Sequence, residues 1–217
     1  MFLSHVSVGL AGKKFAPKVS LGTLVLAGTF ADIVFTVLAW AGIEKIRIVP
    51  GITVVNPFDM YYYPFSHSLM WIMIWAILFA GIYFLIRRDT RSSIVLGLCV
   101  LSHWVFDFIS HRPDVEIIPG IGSPVGLGLW NSFAGTVIVE LAVFVTGLII
   151  YLNATQPRRK IGYLILSLFV LFNGFMFMGW LMGPPPQDMN SMFIMSGIMQ
   201  LIGLALAYWS DHFRKAR

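Results

Sequence analysis

Six apolar stretches, each near the ~20 residues that a helix needs to cross a bilayer, leave this chain few ways to fold. They run over residues 20–43, 67–86, 92–110, 130–152, 161–182 and 190–210. Connectors such as 87-RRDTR-91, 153-NATQPRRK-160 and 183-GPPPQDMN-190 hold the charge, Pro and Gly that interrupt helices. Composition agrees with a lipid environment. Apolar residues make up 58% and charged residues 12%, against about 45–50% and about 25% in soluble domains. The expected fold is all-α: one transmembrane domain over residues 1–217 with about six spans.

The basic residues carry the orientation. In a six-span arrangement Lys13, Lys14, Lys18, Arg87, Arg88, Arg91, Arg158, Arg159, Lys160, Arg214, Lys215 and Arg217 fall on one side. Only Lys45, Arg47 and Arg112 fall on the other. Positively charged connectors stay cytoplasmic, so both termini are expected there. The formal charge of +5 is therefore a topology signal, with the bilayer as partner and no nucleic acid. The first lysines follow the apolar residues 6-VSVGLAG-12, which does not fit a cleavable signal. Cys99 is the single cysteine, so an intrachain disulfide and a thiolate metal cluster are both excluded.

The ionisable residues within the spans point to chemistry. The third span reads 101-LSHWVFDFISH-111, and His103, Asp107 and His111 recur at intervals of four, which aligns them on one helix face. Asp32 lies midway along the first span and Glu140 within the fourth. At ~1.5 Å per residue, His103 is roughly 16 Å deep and Glu140 roughly 15 Å. Asp32, His103, Asp107 and Glu140 are thus expected to meet at one level, with His67 and His111 nearer the outer mouth. A charge at the bilayer centre costs roughly 2.5–3.5 kcal/mol. One such group is more often an interhelical hydrogen bond than a site. The convergence of His67, His103, Asp107, Asp32 and Glu140 instead suggests a divalent cation, which would offset the buried carboxylates. Imidazole with carboxylate suits Zn²⁺, and also Mn²⁺ or Fe²⁺.

His5, Asp32, 66-SHS-68 and 103-HWVFD-107, in that order, resemble the YdjM-like family of bacterial membrane proteins classed as metal-dependent hydrolases. The resemblance covers roughly the first half of the chain. It implies a multi-span protein of the inner (cytoplasmic) membrane with His5, Asp32, His67, His103 and Asp107 as metal ligands. The chain departs from many relatives at 30-FADIVF-35, which has one acid and no Pro where they carry a Pro-Asp-x-Asp motif. His5 has two placements: residues 2–12 dip into the membrane as a half-helix, or they lie on its surface as an amphipathic segment.

The expected function is a metal-dependent hydrolase acting through activated water on a small-molecule or lipid-like substrate, with a phosphoester as one candidate. Glu140 is the candidate general base, and His111 the second catalytic candidate. The alternative is a transporter in which the same groups carry a proton or cation, with either an internal inverted repeat or helices broken at related positions in the two halves. A third option is a structural or regulatory membrane protein. Asp59, Asp114, Glu116 and Asn131 are either substrate contacts or a solvated rim. The run 61-YYY-63 fits an interfacial belt. The methionines between Met176 and Met199, with Asn173 and Gln200, fit packing and interhelical bonding.

Overall fold

A computed structural model describes all residues from Met1 to Arg217, and the chain is almost wholly helical. Five helices are long and apolar enough to span a bilayer: α5 (Leu69–Arg87), α6 (Thr90–Ser110), α7 (Phe133–Ala154), α8 (Ile161–Met182) and α9 (Met189–His212). Residues of the connectors start them. Ser68, Asp89, Ser132 and Asp188 accept side-chain hydrogen bonds from the backbone N–H of Trp71, Ser92, Gly135 and Ser191, satisfying donors that a helix start leaves open. At the far end of α5, Arg88 adopts the left-handed conformation (φ 53°) that ends the helix. Large apolar side chains such as Ile77, Leu171 and Phe175 face outward, 67–75% exposed. Lipid is the solvent that such a surface requires.

The first expected span is not one helix. It is α2 (Leu21–Gly28) followed by α3 (Phe30–Trp40), bent by 58° at Thr29. A break frees backbone carbonyls from the helical ladder, and at bilayer depth each needs another partner. The Gly28 carbonyl finds one in the imidazole of His103. Counting the bent pair as one span gives the expected six.

Residues 3–15 form a further helix, α1 (Leu3–Phe15), which takes the half-helix placement and not the surface one. Nine of its residues are buried, His5 among them. It packs mainly against α7 and α2, with α6 along another flank. Leu3, Val6 and Leu10 join a cluster with Leu21, Val25, Phe144, Leu166 and Phe169. Small residues allow the close approach. A side chain at Gly28 would strike the His5 carbonyl oxygen, and one at Gly147 would strike Ser7. At its other end Lys13 donates to the Val19 carbonyl (2.7 Å) and to Asp211 (2.8 Å), which ties α1 to α9.

The connectors gather at two ends. At one end, β1 (Lys45–Ile48) pairs antiparallel with β2 (Phe58–Tyr62). The short helix α4 (Pro64–His67) follows, and residues 111–131 fold against both, closing with a 3₁₀ turn at Leu129–Asn131. At the other end β3 (Thr155–Pro157) pairs with β4 (Arg214–Ala216), so the connector after α7 and the C-terminal segment share a side, as the basic residues imply.

Candidate metal centre

Asp107 sits at the centre of the polar cluster, 2% exposed, with imidazoles on both of its oxygens. Oδ2 lies 3.1 Å from His103 Nε2 and 3.5 Å from His67 Nε2. Asp32, in the first turn of α3 just past the break, places Oδ1 3.7 Å from His103 Nε2 and 3.9 Å from His67 Nε2. The other Asp107 oxygen, Oδ1, faces His5 Nε2 at 3.2 Å and His111 Nε2 at 3.8 Å. Five elements therefore contribute: α1, α3, α4, α6 and the residue that caps α6. Around a tetrahedral Zn²⁺ with bonds of about 2.0–2.1 Å, ligand atoms stand about 3.3 Å apart. The observed histidine–carboxylate separations bracket that value, so these side chains could hold a divalent ion. Two triads, His5–His103–Asp107 and Asp32–His67–His103, each bring their ligand atoms within 4.8 Å of one another.

The outer nitrogens of the imidazoles define which nitrogen is free. His103 Nδ1 lies 2.9 Å from the Gly28 carbonyl, which only accepts, so this nitrogen carries a proton and, in the neutral ring, Nε2 carries the lone pair. For His67, Nδ1 lies 2.6 Å from Ser66 Oγ, and that hydroxyl donates to Glu44 Oε2 at 2.6 Å. The hydroxyl's one proton is thus used on Glu44, and His67 Nδ1–H donates to the serine. His111 Nδ1 donates to Asp114 Oδ1 at 3.0 Å. In their neutral forms, three histidines thereby turn an unprotonated Nε2 toward Asp107. Such outer partners orient histidine ligands in metal sites. Burial raises the Glu44 pKa, against hydrogen bonds from Ser66.

Glu140 reaches a different partner from the one expected. It is fully buried, but Oε1 accepts from the Phe2 N–H (2.6 Å) and Oε2 from the Ser4 N–H and hydroxyl (both 2.9 Å). It holds the amino end of α1, and no hydrogen bond or ion pair joins it to an imidazole. His67 and His111 also differ from expectation, since both descend to Asp107. The serine cap at Ser68 lets α4 stop and turn before α5 begins, which swings His67 inward. The backbone N–H of His111 still bonds to the Asp107 carbonyl, which keeps it on the α6 stripe.

Beside this centre lies a cavity of about 380 Å³ lined by Arg47, Asp59, Tyr63, His67, Arg112 and Asp114 among others. Arg112 pairs with both Asp59 and Asp114, and Arg47 pairs with Asp59 at 2.7 Å. Burial alone would raise the Asp114 pKa, but contacts with His111, Arg112 and Tyr63 outweigh it and hold the pKa below the usual carboxylate range. Tyr63 donates to Asp114 (2.9 Å), and burial together with that charge pushes its pKa well up. Asp59 and Asp114 thus belong to an ion-paired wall, and Tyr63 of the tyrosine run turns inward. Glu44, Ser66 and the Gly28 carbonyl were missed as site residues. For Ser66 the flanking 66-SHS-68 was a signal; a backbone carbonyl freed by a bend has none.

No curated protein and no solved structure matches the chain. A model of the YdjM inner membrane protein family matches residues 2–181, a span that contains α1, the break in the first span and every histidine and carboxylate around Asp107. With that match over well more than half its length, and with apolar helices able to span a bilayer, the chain belongs to the YdjM inner membrane protein family.

Proposed function

We propose that the chain is a hydrolase dependent on a divalent metal, acting on a phosphoester or lipid-like ester at the outer half of the membrane. One observation carries this reading. His103 Nε2 and Asp107 Oδ2 lie 3.1 Å apart, both buried, and neither has a hydrogen-bond partner. With His103 neutral and its proton on Nδ1, these are two lone pairs facing each other in a buried site, which is costly unless a proton or a metal cation lies between them. Imidazole nitrogen with carboxylate oxygen fits Zn²⁺ best, with Mn²⁺ and Fe²⁺ as alternatives. His67, His103, Asp32 and Asp107 are the proposed ligands.

Held by these residues, such an ion would supply a coordinated water of lowered pKa and polarise a scissile ester. The remaining work falls to the chain. Gly28 and the Ser66–Glu44 pair fix the two imidazoles. Phe35, edge-on to His67 with ring centres 5.6 Å apart, and Tyr63 shield them from water. The ion-paired cavity receives the polar end of the substrate, and it is lined by charges of both signs. Glu140 we assign to positioning α1, because its oxygens are occupied by α1 donors.

A transporter gains some support from the bend at Thr29, since broken helices often carry ion sites. Its matching break is missing: α7, α8 and α9 run unbroken for 22, 22 and 24 residues. The deciding experiment measures metal content and turnover of phosphoester and lipid-like substrates by the protein in detergent. Wild type should hold the ion and turn over, while Asp107→Asn and His103→Ala each lose both. Failure of wild type to take up Zn²⁺, Mn²⁺ or Fe²⁺ would sink the metal reading. Metal- or proton-coupled flux in sealed vesicles, without hydrolysis, would replace it with transport.

A further inference from the structure

The histidines around Asp107 are sorted between its two oxygens, and the first ion uses only the Oδ2 side. The Oδ1 side has two imidazoles of its own. His5 and His111 approach Oδ1 at 3.2 and 3.8 Å, with side chains 1% and 3% exposed. His111 has its Nδ1–H committed to Asp114, which leaves Nε2 free to bind a cation. His5 stacks on His103 with ring centres 3.6 Å apart and planes inclined by 6°. The two rings therefore present ligand nitrogens side by side to opposite oxygens of one carboxylate. The backbone nitrogen of Met1 stands at this pole, 2.6 Å from Oδ1 and 3.0 Å from His5 Nε2.

Counting donors supports a second position. A catalytic zinc commonly takes three protein ligands and a water. Here six side chains converge: His5, Asp32, His67, His103, Asp107 and His111. One ion cannot use them all and keep an open position. A carboxylate bound through both oxygens can bridge ions about 3.5–4 Å apart, the spacing of two-metal hydrolases.

We propose that the centre is binuclear: a second divalent cation binds at Asp107 Oδ1, held by His5 and His111, with Asp107 as the bridge. The inference rests on the metal reading above for the first ion. The second ion takes the place of the Met1 amino group. It makes α1 part of the centre, so Glu140 positions His5 by seating that helix.

The test uses the full chain in detergent, stripped with chelator, reloaded with Mn²⁺ and freed of excess. Wild type is expected to retain two Mn²⁺ per chain, with a paramagnetic resonance signal altered by coupling across the shared carboxylate. His5→Ala and His111→Ala are each expected to retain one, with an uncoupled signal. Gln variants at the same positions keep the side-chain bulk and replace any Ala variant that does not elute as wild type. One Mn²⁺ in wild type, unchanged in the His5 and His111 variants, overturns the second position and leaves the first intact. No Mn²⁺ in wild type, with none of Zn²⁺ on parallel loading, overturns both. Two ions in wild type with unchanged occupancy in both variants overturns the assignment of His5 and His111.

Discussion

Asp107 and Glu140 are both acids buried within spans, and their neighbours set them apart. Asp107 has imidazole nitrogens around both oxygens and the Met1 amino group at Oδ1, while its Oδ2 lacks any donor. Glu140 is surrounded by donors, the N–H groups of Phe2 and Ser4 and the Ser4 hydroxyl. The first environment calls for a cation, while the second is complete without one. Glu140→Gln replaces one accepting oxygen with a donor that faces another donor. It should destabilise the protein by about 1–3 kcal/mol, seen as a lower melting temperature in detergent, and should weaken retention of the ion at His5. An unchanged melting temperature and metal content with lost turnover would restore Glu140 as a general base.

At the scale of elements, the centre depends on two departures from a simple bundle of spans. The amino-terminal turn of α1 is buried within the bundle, which brings His5 to Asp107. The bend between α2 and α3 releases the Gly28 carbonyl to His103 and places Asp32 one turn further on. Gly28 serves both, since its missing side chain also admits the His5 backbone. Gly28→Ala should cost about 1–3 kcal/mol through overpacking against backbone that cannot move aside. It should also lower metal occupancy, measured on the same preparation. Wild-type stability and occupancy would mean that α1 is free to shift.

For the whole molecule, the two ends differ in kind. One carries the β1–β2 hairpin, the ion-paired cavity and the approach to the centre; the other carries β3–β4 and most of the lysines and arginines. The basic bias predicts that the second end is cytoplasmic. Reporter fusions after Arg91 and Arg159 should read cytoplasmic, and fusions near Asp59 and Ile121 external. The inverse pattern would move the cavity mouth to the cytoplasmic face and change which substrates reach it.

The sequence by itself determined the class, the number of spans and the sharing of one end by basic connectors, because span length and charge bias act locally and need no partner helix. It also singled out His67, His103, Asp107 and Asp32 as ionisable residues in or beside apolar spans, and the four-residue spacing that aligns His103, Asp107 and His111. Only the tertiary structure decided that residues 3–15 turn inward, that the first span bends at Thr29, and that Glu140 serves α1 and not the imidazoles. Those outcomes depend on backbone approaches such as Gly28 against His5 and on which donors surround each carboxylate. Both are relations between distant segments, set by packing, and neither hydropathy nor spacing along one helix contains them.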